Sequence, residues 1–164
     1  DADTAHRDTF IARLFALSGQ HDLLTQDNWE GAGLHDVVWC ALKPYEETPG
    51  ARCKVEGRDI RLSPKRALAL GLAFHELATN AAKHGALSTG TGEVKVSWEI
   101  DSTNDRLILR WQEAGGPQVS PPERRGFGMR LIERGLSHEL SAQVRLQFPP
   151  TGVICEWEMS LRKP

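Results

Sequence analysis

The sequence predicts an α+β domain, with helices laid on one face of a mostly antiparallel sheet and a further helical segment ahead of it. Three observations carry that expectation. The stretch from Pro64 to His84 places apolar residues at helical spacing between a helix-start signal and a glycine. Two pairs of alternating segments, "GEVKVSWEID" with "RLILRWQE" and "AQVRLQF" with "VICEWEMSL", are each joined by a short turn. The glycine- and proline-rich stretch "AGGPQVSPPERRGFG" between the pairs leads into one more helical pattern, "MRLIERGLSHEL".

In chain order, Phe10, Leu14, Leu17, His21 and Leu24 follow helical spacing, so the first segment is a helix or helix pair. A turn is expected at Asp27–Gly33, then a short helix from Leu34 to Leu42 that Pro44 ends. "ARCKVEG" and "DIRL" are expected as two short strands. Ser63-Pro64 is a strong start for the long helix, with Ser as N-cap and Pro at the first helical position. Gly85 stops it. The first alternating pair turns at Ser102–Asp105 and the second at "PPTG".

Composition narrows the function classes. With 164 residues, 40% of them hydrophobic and 26% charged, the chain has globular composition and enough length for a real core. A net charge of −2 gives no basic footprint for nucleic acid. The longest apolar run, "ALALGLAF", is too short to span a bilayer, so no membrane contact is expected, and there is no signal-peptide pattern. Three widely spaced cysteines without a CxxC argue against zinc and a disulfide framework and fit a reducing cytoplasm. The chain opens on Asp1 rather than Met, which predicts that it belongs to a longer protein.

The chemistry concentrates in "FHELATNAAKHGALS". On a helix, Glu76, Asn80 and Lys83 share a face, with His84 ending the stripe, while Leu70, Phe74, Leu77 and Ala81 form the apolar side. A carboxamide is a suitable hard ligand for Mg²⁺, which usually arrives with substrate phosphates. Lys83 can meet the same phosphates, and Glu76 can orient a nucleophile or accept its proton. The same residues on an ordinary solvated helix face are the competing interpretation. His75, one position before Glu76, points off the stripe, so direct contact and support from behind both remain open for it.

In "RLILRWQEAGGP", alternation puts Leu107, Leu109, Trp111 and Glu113 on one side of a strand. A carboxylate there needs a hydrogen-bond donor, and the 6-amino group of adenine is one. Gly115-Gly116 would let a flat base approach the backbone. Alternatively, Trp111 is a core aromatic and Glu113 simply opens a turn. In "RRGFGMRLIERG", Gly126 and Gly128 precede a helix whose free N–H groups can hold phosphate, with Arg124, Arg125 and Arg130 nearby. No GK[ST] follows, so this is not a Walker A loop. The loop ahead of it has the make-up of a mobile lid.

Together, in this order, these segments resemble the HWE-type sensor histidine kinases of the GHKL ATPase superfamily. "FHELATNAAKHGALS" resembles the family's N box. His75, Trp111 and Glu113 match the residues that name the family, and "GFGMRLIERGLSHEL" resembles its second glycine box. "ARLFALSGQHDLLTQDNWEGAGLHDVV" resembles the link from the dimerisation and phosphotransfer helices, which implies a boundary between residues 1–30 and a catalytic ATP-binding domain at 31–164. The resemblance implies a Bergerat-type two-layer α/β sandwich that binds ATP and Mg²⁺. In it, Asn80 is the magnesium ligand, Glu76 the candidate general base, and Lys83 and His84 the phosphate neighbours. Trp111, Glu113 and Gly115 fall at the adenine, and Gly126, Phe127, Gly128, Met129 and Arg130 fall where the lid meets the triphosphate.

The activity so implied is transfer of the ATP γ-phosphoryl group to a histidine, for relay to an aspartate on a response-regulator receiver domain. A sensor domain upstream on the same chain and a homodimer formed through upstream helices are implied with it. One departure stands out. The family's acceptor motif, which resembles "NHRVKN", has no match here: "AHRDTF" around His6 lacks the Val-Lys-Asn run, and His21 fits a structural "AHDLL" element. The acceptor is therefore expected upstream of Asp1. Two other functions compete, a serine or threonine kinase acting on an anti-sigma-factor antagonist and a nucleotide-binding module that regulates a partner without phosphorylating histidine.

Overall fold

The computed structural model describes residues 31–46, 50–122 and 127–162. The expected first helical segment, with His6, His21 and Trp29, lies outside them, as do Gly126 and the arginines Arg124 and Arg125.

Strand β1, Ala32–Gly33, runs into helix α1, Leu34–Leu42, after which Pro44 sits in a 3-10 turn, Lys43–Tyr45. Two short strands follow, β2 at Cys53–Glu56 and β3 at Arg61–Leu62. The long helix α2 spans Pro64–Lys83. Its start is as the sequence dictates, because the Ser63 hydroxyl accepts the Arg66 N–H at 3.3 Å and Pro64 fills the first turn. Ser63→Ala should therefore cost about 1 kcal/mol in urea denaturation, with the slope of the transition unchanged.

The hairpin of β4, Glu93–Asp101, and β5, Arg106–Ala114, lies at the centre of the sheet. The helical pattern after the glycine- and proline-rich loop forms three abutting turns, α-helical Phe127–Arg130, π-helical Leu131–Leu136 and α-helical Ser137–Leu140, together α3. The second hairpin, β6 at Ala142–Gln147 and β7 at Ile154–Ser160, completes the sheet. Its five strands lie in the order β2-β4-β5-β7-β6.

The expected α+β architecture with its mostly antiparallel sheet is what forms, with two features that local patterns do not announce. First, β2 pairs with β4 in parallel, Cys53 beside Val94. The connection between them passes through the whole of α2, and a crossover of that kind returns the chain in the direction in which it left. Second, Ala32–Gly33 belong to no turn: they pair antiparallel with Arg61–Leu62, forming a two-stranded sheet apart from the main one. β2 and β3, adjacent in sequence, thus serve different sheets.

One face of the sheet supplies Val94, Val96, Trp98, Leu107, Leu109, Trp111, Trp157 and Met159, all buried. Against them pack Leu70, Phe74 and Leu77 of α2, Leu34, Val37 and Val38 of α1, and Leu131 and Ile132 of α3. Phe74 lies between the two largest core rings, 6.5 Å from Trp111 in a stacked arrangement and 5.7 Å from Trp157 edge-on. Trp39 is half-buried against this core, and Trp98 donates its indole N–H to Arg58 O at 2.8 Å. His35 meets the Trp98 ring edge-on at 4.7 Å, and its Nε2 lies 2.7 Å from Gly57 O. The three cysteines carry no disulfide; burial pushes the thiol of Cys53 up to about 12 and that of Cys155 higher still.

Candidate functional site

Because α2 turns its apolar stripe to the sheet, Leu70, Phe74, Leu77 and Ala81 are buried, and the opposite stripe faces out. Glu76 and Asn80 are half-buried there, and Lys83 and His84 are exposed. A cavity of about 500 Å³ opens beside this stripe, within the range usual for ligand sites. Asn80, His84 and Gly85 line it from α2, Glu113 from the end of β5, and Gly128 and Met129 from α3. Gln118, Val119, Ser120 and Pro122 of the loop after β5 line it too. The described part of that loop is thus a wall of the cavity, tied at Val119 N–H to Pro150 O at 3.1 Å.

Phe148 and Val153 complete the wall from the β6–β7 turn. Sequence reading missed both. The available signal was a Pro-Pro-Thr-Gly turn flanked by Phe and Val, apolar side chains placed where turns are ordinarily polar.

Glu113 is the one buried charged residue among those described, at 4% exposure. Alternation along β5 brings it to the inner face, and two donors satisfy it. Its Oε1 accepts the backbone N–H of Ala86 at 3.0 Å, and its Oε2 accepts the indole N–H of Trp111 at 3.1 Å. Burial pushes its carboxyl above the ordinary carboxylate value, and those two hydrogen bonds hold the rise back. The Trp-x-Glu spacing therefore has a structural meaning. Residues two apart on a strand share a face, so the fully buried Trp111 can hold the carboxylate from below.

Gly85 makes room for this arrangement, since a Cβ there would stand 2.2 Å from Glu113 Oε1 and 3.0 Å from the Ala81 Cα. The Glu76 carboxylate rests against the bare backbone of Gly128, where a Cβ would lie 2.1 Å from Glu76 Oε2.

The structure thus brings Asn80, His84, Glu113, Gly128 and Met129 to one cavity; Glu76 is not among its lining residues and adjoins it only through Gly128. It does not bring Trp111 there; that ring lies wholly in the core and reaches the site only through Glu113. His75, Lys83, Gly115 and Arg130 are also not among the lining residues. Gly115 has φ +74°, and its carbonyl accepts the Thr91 hydroxyl at 3.1 Å. Phe127 opens α3, while Gly126 falls outside the described residues. Among the described residues there is no group of three or more His, Cys, Asp or Glu that could hold a metal by itself, and no helix is long and apolar enough to cross a membrane. A magnesium ion held mainly by phosphates needs few protein oxygens, and the Asn80 carboxamide on the cavity wall could supply one.

A family model described as HWE histidine kinase matches residues 1–59. The blue-light-activated histidine kinase of Brucella abortus is 40% identical over 158 residues, 95% of this chain and 32% of that protein. The chain is thus similar to HWE histidine kinases, to the family model over its first third and to this relative over nearly all of the chain's own length. The blue-light-activated histidine kinase of Brucella anthropi is 39% identical over 158 residues, again 95% of this chain and 32% of that protein. The chain therefore spans about a third of the length of the curated relatives it matches.

Solved structures agree on its fold. The histidine kinase domain of an Erythrobacter litoralis blue-light activated histidine kinase superposes with a TM-score of 0.63 at 20% identity, covering 78% of this chain and 63% of that one. The catalytic domain of histidine kinase ThkA gives 0.56 at 14% identity, with 78% and 93% covered. The fold is that of a histidine kinase catalytic domain.

Proposed function

We propose that this domain binds ATP with Mg²⁺ in the cavity beside α2 and transfers the γ-phosphoryl group to a histidine, for relay to an aspartate of a response-regulator receiver domain. The observation that carries it is a buried carboxylate, Glu113, in the same cavity as the Asn80 carboxamide. Each Glu113 oxygen has one donor already and a lone pair to spare, which suits the 6-amino group of adenine. Val119, Met129, Phe148 and Val153 offer apolar surface to a flat base. The triphosphate would then run toward Asn80, with His84, Lys83 and the start of α3 around it. The magnesium, held by Asn80, would neutralise charge on the phosphate oxygens.

In the transfer, a histidine ring nitrogen attacks the γ-phosphorus, the bond from that phosphorus to the β–γ bridging oxygen breaks, and ADP leaves with the electron pair. Glu76 orients the imidazole or takes its proton. The acceptor histidine, a sensor domain on the same chain, a homodimer and a cytoplasmic location belong to this proposal, on the family resemblance.

Calorimetry on the 164-residue chain tests the nucleotide part. Mg-ATP should bind about tenfold or more tightly than Mg-GTP, because a 6-oxo group cannot donate to Glu113 and leaves it facing another acceptor. Asn80→Ala should weaken Mg-ATP binding about tenfold and have little effect on ATP in the presence of a chelator. Equal affinity for the two nucleotides would remove Glu113 as base reader, and unchanged Mg-ATP affinity in Asn80→Ala would remove the metal role.

A further inference from the structure

Arg52 stands immediately before β2, at the edge of the sheet, and its backbone is held from both sides. Its N–H donates to Glu46 Oε1 at 3.0 Å, and its carbonyl accepts the Val94 N–H at 2.9 Å. The second Glu46 oxygen takes the Cys53 N–H at 2.8 Å. From this fixed base the half-buried guanidinium reaches three carbonyls of the loop after α2. Nε donates to Gly92 O at 3.1 Å, and Nη2 donates to Ala86 O at 3.1 Å and also to Thr89 O. A planar fork of five donors can hold several acceptors at set angles, which a lysine cannot.

The loop so held is the one that meets Glu113. Ala86 gives its carbonyl to Arg52 and its N–H to Glu113 Oε1. Its backbone is also enclosed by glycines, since a Cβ on Gly92 would stand 1.7 Å from Ala86 O and one on Gly116 would stand 2.6 Å from the Ala86 Cα. A shift of this loop therefore alters the direction of the N–H that aims the Glu113 carboxylate.

We propose that Arg52 is a positioning residue for nucleotide-base recognition, acting through the chain Glu46–Arg52–Ala86–Glu113 that runs from the sheet edge to the cavity. This role rests on Glu113 being the base reader. A clamp with no part in recognition would, when lost, lower affinity for all nucleotides alike. A clamp that aims Glu113 would, when lost, selectively weaken the nucleotide whose base donates to the carboxylate.

The test titrates the 164-residue chain, as wild type, Arg52→Ala, Arg52→Lys and Glu113→Gln, with Mg-ATP and with Mg-GTP. Circular dichroism identifies a temperature at which all four are folded. The preference for ATP should fall about fivefold or more in Arg52→Ala, mainly through lost ATP affinity, and in Glu113→Gln it should vanish. Arg52→Lys keeps the charge without the fork and should show a preference between those of wild type and Arg52→Ala. If Arg52→Ala does not fold, the lysine variant carries the comparison. A wild-type preference in the folded Arg52 variants, with the preference lost in Glu113→Gln, overturns the positioning role and leaves the base reader standing. A wild-type preference in Glu113→Gln overturns the base reader, and the role of Arg52 with it.

Discussion

Glu76→Gln is expected to slow histidine phosphorylation about 10²–10⁴-fold, the usual worth of general-base help, while leaving Mg-ATP affinity within about twofold. The substitution keeps the side chain's size and one hydrogen-bonding oxygen, and removes only its basicity. Position gives it this weight: Glu76 sits one helical turn before Asn80, and its carboxylate lies against the bare Gly128 backbone, where α2 meets α3 at the cavity. The measurement is acid-labile phosphoprotein formed from labelled ATP, in a longer form of the protein that includes the expected upstream acceptor helix. The 164-residue chain alone should label little, since neither His6 nor His21 has acceptor surroundings in sequence. A loss of only about twofold would make Glu76 an orienting group. Robust labelling of the short chain, abolished by His6→Ala, would overturn the assignment of the acceptor. A longer form that binds ATP normally and never labels would favour a nucleotide-sensing module over a kinase.

Phe74→Ala should destabilise the domain by about 3–5 kcal/mol, a large share of the roughly 5–15 kcal/mol that holds a domain together. Phe74 is fully buried and touches the rings of both Trp111 and Trp157, so its removal leaves a cavity between α2 and the centre of the sheet. Two large indoles cannot collapse into that space without leaving their rotamers. Urea denaturation should show the midpoint fall with the slope unchanged, and nucleotide binding should be lost with the fold and not before it. Lys83→Ala, on the exposed side of the same helix, should change stability by less than about 0.5 kcal/mol. A similar small effect for Phe74→Ala would mean that the helix does not depend on this contact.

The parts of this molecule written in short-range chemistry were legible in the sequence. Ser63, Pro64 and Gly85 bound α2 because caps and breakers act within one turn. Period-two alternation put Leu107, Leu109, Trp111 and Glu113 on the buried face of β5, and helical spacing separated Phe74 and Leu77 from Glu76 and Asn80. The family resemblance was legible for the same reason, since each motif is continuous in the chain. What the tertiary structure alone decided are pairings between segments far apart in sequence. Nothing near Cys53 says that β2 will lie parallel to β4, because that follows from where α2 returns the chain. Nothing near Ala32 announces Leu62 as its partner. The donors that keep Glu113 buried divide along the same line, with Trp111 two residues away and visible in the spacing, and Ala86 twenty-seven residues away and invisible. Phe148, Val153 and the reach of Arg52 to the loop of Ala86 belong with Ala86. A hydrogen bond or a cavity wall closed through space depends on where whole elements pack, and no local pattern of residue types encodes that distance.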